Sequence, residues 1–227
     1  VEEYNPNLNG VLTNINFDRK ENLIDLNLKD LINHFSRLRL RKSDFEKSDL
    51  LGTAFEYLIQ MFAESAGSRG GAFNTPKKIV ELLIKLVKPK EGMEIYDPVC
   101  GSGGMLTEAR KYLEVNGKDP NKLMLSGQEI NEAAWATCKL NMFLHGIREA
   151  NIKKGDTLIN PRHLENGQIK QFDRVIANPP YSLRNWGHDI AEKDIFRRYK
   201  YGIPPKHSGD FAFIQHMIAS LNENGIM

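Results

Sequence analysis

From residue 93 onward, short apolar runs alternate with longer amphipathic ones, and this alternation constrains the fold most tightly. MEIYDP (93–98), LMLSGQE (123–129), ANIKKGD (150–156) and FDRVIANPP (172–180) read as strands. Between and around them, PKKIVELLIKLV (76–87), residues 104–115, NEAAWATCKLNMFLHG (131–146) and GDFAFIQHMIASL (209–221) read as helices. Strand and helix in turn predict an α/β, doubly wound, mainly parallel sheet. Four strands fit before Met227, and LNENGIM reads as a helix end leading into a further strand. A sheet stopping there would leave an unpaired edge. More sheet is therefore expected downstream, with the fold truncated at its C-terminus.

The N-terminal part has a different texture. Residues 1–20, rich in Asn, Pro and Gly, read as irregular. Leu and Ile spaced at three and four predict an amphipathic helix over 22–41. Ser43 and Glu46 form a capping-box pattern that opens a second helix, roughly 44–64. A Gly-rich hinge, AGSRGGAFNTP, follows. The expected organisation is a helical segment over 1–66 and an α/β domain over 67–227. Thr75 suits an N-cap and Pro76 the first helical position.

Composition excludes several classes. In 227 residues, 41% hydrophobic and 26% charged content rules out disordered, collagenous and disulfide-scaffold chains. Two cysteines, Cys100 and Cys138, are too few for a disulfide framework or a zinc site, and no metal is expected. A net charge of +2 announces no global field for nucleic acid. No apolar run approaches the roughly 18 residues of a membrane helix, and no signal peptide opens the chain. The reading is a soluble cytoplasmic protein, begun at Val1 as a piece of a longer one.

Four motifs lie where strands end. In DPVCGSGG (97–104), Gly101, Gly103 and Gly104 let the backbone turn sharply and approach a ligand. In such sheets ligands sit beyond the carboxyl ends of the strands. The spacing is neither a dinucleotide fingerprint nor a phosphate loop. Cys100 reads as a small buried residue. Glu129, at the tip of the second strand, suits both hydroxyls of a ribose, although a charge favoured by a helix N-terminus is the plainer alternative. Asp156 suits an adenine amino group or, equally, a turn cap. Asn178-Pro179-Pro180-Tyr181 is the sharpest motif. Two prolines remove two N–H donors and leave the Asn amide oxygen and the Pro179 carbonyl as acceptors for both hydrogens of an –NH₂ group. Tyr181 offers a face on which a flat base or amide can stack.

In this order, DPVCGSGG, Glu129, Asp156 and NPPY resemble the S-adenosylmethionine-dependent amino-methyltransferases. LLGTAFEYLIQMFAESAGSRGGAFNTPKKIVELLIKLVKP (50–89), read into DPVCGSGGML, is similar to the modification (M) subunit of type I restriction-modification systems. GDFAFIQHMIASL matches the helix before that subunit's fifth strand. The resemblance covers most of residues 20–227 and implies an S-adenosylmethionine-dependent methyltransferase fold. It implies cofactor contacts from Phe73, Thr75 and Pro76 and approach of Ser102, Gly103 and Gly104 to the methionine part. Asp97 and Gly101 would shape the loop, Glu129 hold the ribose and Asp156 sit near the cofactor adenine. Asn178, Pro179, Pro180 and Tyr181 would hold the target base. One departure is Ala72-Phe73-Asn74, where the family shows an acidic or amide residue and then aromatics.

The implied activity is N6-adenine methylation of double-stranded DNA by a subunit that works with a specificity (S) and a restriction (R) subunit. Residues 182–208 carry a local excess of positive charge, with Arg184, Lys193, Arg197, Arg198, Lys200 and Lys206 facing Asp189, Glu192 and Asp194. A phosphate-contacting loop and a solvated surface loop fit that pattern equally. The cluster Arg37, Arg39, Arg41 and Lys42 reads as a helix face. A protein glutamine N-methyltransferase uses the same kind of turn and is the alternative enzyme. A structural module with a decayed site is the non-enzymatic one.

Overall fold

The structure is a computed structural model that describes residues 5–11, 25–37, 50–65 and 75–227. Helices α1 (Asp25–Ser36) and α2 (Leu50–Ser65) precede the α/β part, which opens with α3 (Lys77–Val87). Then come β1 (Glu94–Asp97), α4 (Gly104–Val115), β2 (Met124–Glu129), α5 (Glu132–Leu144) and β3 (Asn151–Lys154). After a two-stranded hairpin, β4 (Leu164–Glu165) and β5 (Gln168–Ile169), follow β6 (Phe172–Val175), α6 (His188–Ala191), α7 (Asp210–Ala219) and β7 (Leu221–Ile226). The main sheet has the order β3-β2-β1-β6-β7, and all its pairs are parallel. The doubly wound expectation holds. The capping box at Ser43 and Glu46, most of the hinge and the start of the second predicted helix lie outside the described residues.

Neighbouring residues of a strand point to opposite faces, and β1 shows the consequence. Ile95 joins a core with Val80 and Ile84 of α3, Leu106 and Ala109 of α4, and Cys138 and Met142 of α5. Tyr96 faces the other way and packs with Phe172, Val175 and Met217 of α7. Helices thus cover both faces, and β2 is buried on both, so LSGQE lacks the alternation of a half-exposed strand. Each fully buried Leu or Ile contributes about 1.5–3 kcal/mol. Val80, Ile84 and Val87 make the buried stripe of α3. Its last turn is held by the buried Arg174, whose Nε donates to the Val87 carbonyl. Helix α2 docks through Glu56, which accepts from Thr107 Oγ1 at 2.8 Å and faces His145 Nε2 at 3.2 Å.

Two expectations are corrected. A fifth parallel strand, β7, lies within the chain and pairs with β6. It starts at Leu221, inside the stretch read as a helix end leading into a strand, and its register with β6 shifts between Phe172 and Arg174. The helix over 76–87 begins one residue later. Pro76 is the N-cap, and no side chain caps α3. The Thr75 hydroxyl is engaged elsewhere.

Gly103 sets the turn from β1 into α4. It has φ +82°, and a Cβ there would lie 2.6 Å from Met142 Cε and 2.7 Å from Cys138 Sγ. Gly103→Ala should therefore destabilise the protein by about 2–4 kcal/mol in urea denaturation. Gly104→Ala, with nothing within 4 Å of its added Cβ, should not. Equal stability of the two variants would contradict this packing.

Candidate active site

The motif residues sit at the carboxyl edge of the sheet. Asp97 ends β1, Glu129 ends β2, Asp156 follows β3, and Asn178 follows β6. The turn after β1 is pulled onto the tip of β2 by backbone bonds. Cys100 N–H donates to the Gln128 carbonyl at 3.0 Å, and Gly103 N–H to the Cys100 carbonyl at 2.7 Å. The buried Glu129 carboxylate completes the link. Oε2 accepts from Gly101 N–H at 3.0 Å, and Oε1 from Asn131 N–H at 2.7 Å. Asn131 in turn caps α5. From α5, Asn141 Nδ2 holds the Ser102 carbonyl at 3.0 Å.

One cleft joins six of the predicted residues. Thr75, Asp97, Gly101, Ser102, Gly104 and Asn178 line it, and Val80, Val99, Cys100 and Met105 supply its apolar wall. Sequence reasoning passed over those four as contributors, although Val99, Cys100 and Met105 flank the very glycines it singled out. Gly103 lies behind the wall, against Cys138 and Met142. Pro76, Glu129, Asp156, Pro179, Pro180 and Tyr181 do not line the cleft. Asp156 caps its own turn, with Oδ1 accepting from the N–H groups of Leu158 and Ile159 at 2.8 and 2.9 Å. Phe73 lies outside the described residues.

Asn178 sits between two hydroxyls. Its Nδ2 donates to Thr75 Oγ1 at 3.1 Å, and its Oδ1 accepts from the Tyr181 hydroxyl at 3.0 Å. Tyr181 is 79% exposed, so its ring is open to a planar partner.

The segment after Tyr181 is anchored rather than loosely solvated. Ser182 N–H donates to Asp210 Oδ1 at 2.7 Å, and the buried Trp186 packs with Leu158, Ala212 and Phe213. Arg198 is 3% exposed, which removes it from the phosphate-facing cations that the sequence suggested. It pairs with Asp194 at 2.8 Å and donates to the carbonyls of Thr157 and Leu158 and to His216 Nδ1. Burial, then the charges of Arg198 and His163, push His216 down to about 3. The neutral ring accepts at Nδ1 and presents Nε2–H to the Tyr96 hydroxyl, 3.3 Å away. Lys206 is taken up by Asp189 at 3.1 Å. Arg184, Lys193, Arg197 and Lys200 remain exposed.

The sequence profile described as N-6 DNA Methylase matches residues 46–227. The type I restriction enzyme HindI methylase subunit of Haemophilus influenzae is 33% identical over 99% of this chain and 50% of its own length. The MjaVIII methylase subunit of Methanocaldococcus jannaschii is 36% identical over 83% of this chain and 32% of its own. The chain thus spans half, or less, of the curated relatives it matches. A crystal structure of a type I restriction-modification methyltransferase subunit from Streptococcus thermophilus aligns with a TM-score of 0.81 at 26% identity, covering 99% of this chain and 48% of that one. A class I S-adenosylmethionine-dependent methyltransferase structure from Listeria monocytogenes shares the fold, with a TM-score of 0.66 at 17% identity over 96% of this chain and 62% of that one.

Asp97 makes the cleft sensitive to pH. Burial raises its carboxyl to about 7, the Val99 N–H opposes the shift, and the Glu129 charge adds to it. The folded state therefore holds a proton that the unfolded chain, titrating near ~4, has already lost. The stability this confers is complete below about pH 4 and disappears as pH rises through about 7. Asp97→Asn keeps the acceptor for Val99 and abolishes the titration. Its melting temperature should gain on that of the wild type as pH rises from 4 to 7.5 in scanning calorimetry. A constant difference would contradict the buried titration.

Proposed function

Because the chain belongs to the N-6 DNA methylase family, we propose that it supplies the catalytic centre of an adenine-specific DNA methyltransferase in a type I restriction-modification system, with S-adenosylmethionine as the methyl donor. The relatives' names support the system, and one observation carries the chemistry: Asn178 of NPPY lines the same cleft as the glycine turn after β1. The glutamine-methylating alternative is not favoured by these relatives.

The residues fit the cofactor. Each Glu129 oxygen accepts one backbone N–H and retains acceptor capacity for a ribose hydroxyl. Gly104 leaves open space where a Cβ would stand. No side chain caps α4, so its first N–H groups are available to the cofactor's carboxylate. The ionised form of Asp97 would compensate positive charge in the same cleft.

Bound there, S-adenosylmethionine supplies a methyl group on sulfur that is already electrophilic. The protein's task is then alignment rather than strong base catalysis. The target adenine has to leave the duplex, since its amino group is otherwise paired and stacked. Asn178 Oδ1 and the Pro179 carbonyl accept its two amino hydrogens, and Pro180 contributes no competing N–H. Tyr181 stacks on the extruded base, its hydroxyl giving up Asn178 Oδ1 to the incoming amine. The exposed cations of residues 184–200 lie on the segment that leaves this turn and suit phosphates of double-stranded DNA. Sequence recognition belongs to a specificity subunit and cleavage to a restriction subunit.

Two substitutions separate binding from chemistry. Glu129→Ala should weaken cofactor binding by about 1–3 kcal/mol in calorimetry on the full-length protein. Asn178→Ala should leave that affinity unchanged and lower methyl transfer more than a hundredfold, since ~3 kcal/mol of lost alignment suffices. Tritiated methyl should appear in N6-methyldeoxyadenosine of DNA bearing the recognised site. Wild-type transfer by Asn178→Ala, or label on cytosine or protein, would overturn the proposal.

A further inference from the structure

Thr75 stands at the start of α3, where a threonine ordinarily caps the helix. Here it does not. Pro76 occupies the N-cap position, and no side chain caps α3. The hydroxyl reaches across the cleft to Asn178, 103 positions along the chain, and accepts from Nδ2 at 3.1 Å. The other end of the amide is engaged by Tyr181, whose hydroxyl donates to Oδ1 at 3.0 Å. A phenol is the stronger donor and an aliphatic hydroxyl the readier acceptor, so the two neighbours favour the same orientation of the amide. When a target amine replaces the Tyr181 hydroxyl, the tether that remains on the amide among the described residues is Thr75.

We propose that Thr75 is the positioning residue of the acceptor site, locking the Asn178 amide so that its oxygen, and not its nitrogen, meets the target amino group. This rests on the catalytic reading of Asn178 given above. A flipped amide would present two N–H donors to an amine that itself needs acceptors, which is repulsive as well as unproductive. Thr75 therefore couples the start of α3 to the chemistry after β6, a link distinct from any contact with the cofactor.

The test uses the full-length methyltransferase with its specificity partner and DNA bearing the recognised site. Single-turnover transfer from tritiated S-adenosylmethionine at saturation is measured beside calorimetric affinity for S-adenosylhomocysteine. Thr75→Val, which keeps the shape and removes the acceptor, should slow transfer at saturating cofactor by roughly tenfold or more. Thr75→Ser should restore most of the rate. The Thr75→Val/Asn178→Ala double variant should be no slower than Asn178→Ala alone, because Thr75 acts only through Asn178. Unchanged transfer by Thr75→Val, a loss confined to cofactor affinity, or multiplying losses in the double variant would overturn the inference. Asn178→Ala at the wild-type rate would instead overturn the catalytic reading beneath it.

Discussion

The site depends on a carboxylate that is spent on the backbone. Glu129 accepts Gly101 N–H with one oxygen and Asn131 N–H with the other. Those two bonds tie the turn after β1 to the tip of β2 and to the start of α5. They act together with the Cys100 N–H bond to the Gln128 carbonyl and the Asn141 bond to the Ser102 carbonyl. The carboxylate itself lies behind the cleft lining, yet it fixes Gly101, which does line it. This is why a buried charge is tolerated there: it is hydrogen-bonded on both oxygens.

A second buried charge holds the other wall. Arg198 and Asp194 lie almost fully inside, a costly arrangement unless every donor is used. Arg198 uses its donors on Asp194, on the carbonyls of Thr157 and Leu158, and on His216. The long segment after Tyr181 is thereby fastened to the turn that carries Asp156 and to α7. Loop position is thus set by the core beneath it and not by solvent-exposed charge. The NPPY turn inherits that rigidity from both sides, from Asp210 through Ser182 and from Thr75 through Asn178.

Much of this was legible in the sequence, for physical reasons. Period and turn chemistry located α4 residue for residue and placed β1, β2 and α5 within two residues, because each is bounded by Gly, Asn or Pro. Strand β7 was anticipated after α7, but LNENGI has too little apolar alternation to fix where the helix ends and the strand begins. The hairpin β4–β5 carried an Asn166-Gly167 turn signal, but only two residues pair on either side of it. At the site, Asp97, Gly101, Gly104 and Asn178 line one cleft, whereas Gly103 packs behind its wall against Cys138 and Met142. Arg198 was misread because counting charges along a segment cannot show which one is buried. The use of Thr75 depends on a contact across 103 positions, which no local pattern encodes.

On the proposed function, the cleft beside the Glu129-tied turn delivers a methyl group to an amine held by Asn178. This delivery is tested most directly by the crystal structure of the full-length protein with a non-reactive S-adenosylmethionine analogue and DNA bearing the recognised site. The predicted result is an extruded adenine whose amino nitrogen lies ~3 Å from Asn178 Oδ1 and from the Pro179 carbonyl. In that complex the ribose hydroxyls of the analogue sit on Glu129, which keeps both backbone bonds. An analogue bound away from Glu129, or a target base held without Asn178, would contradict it.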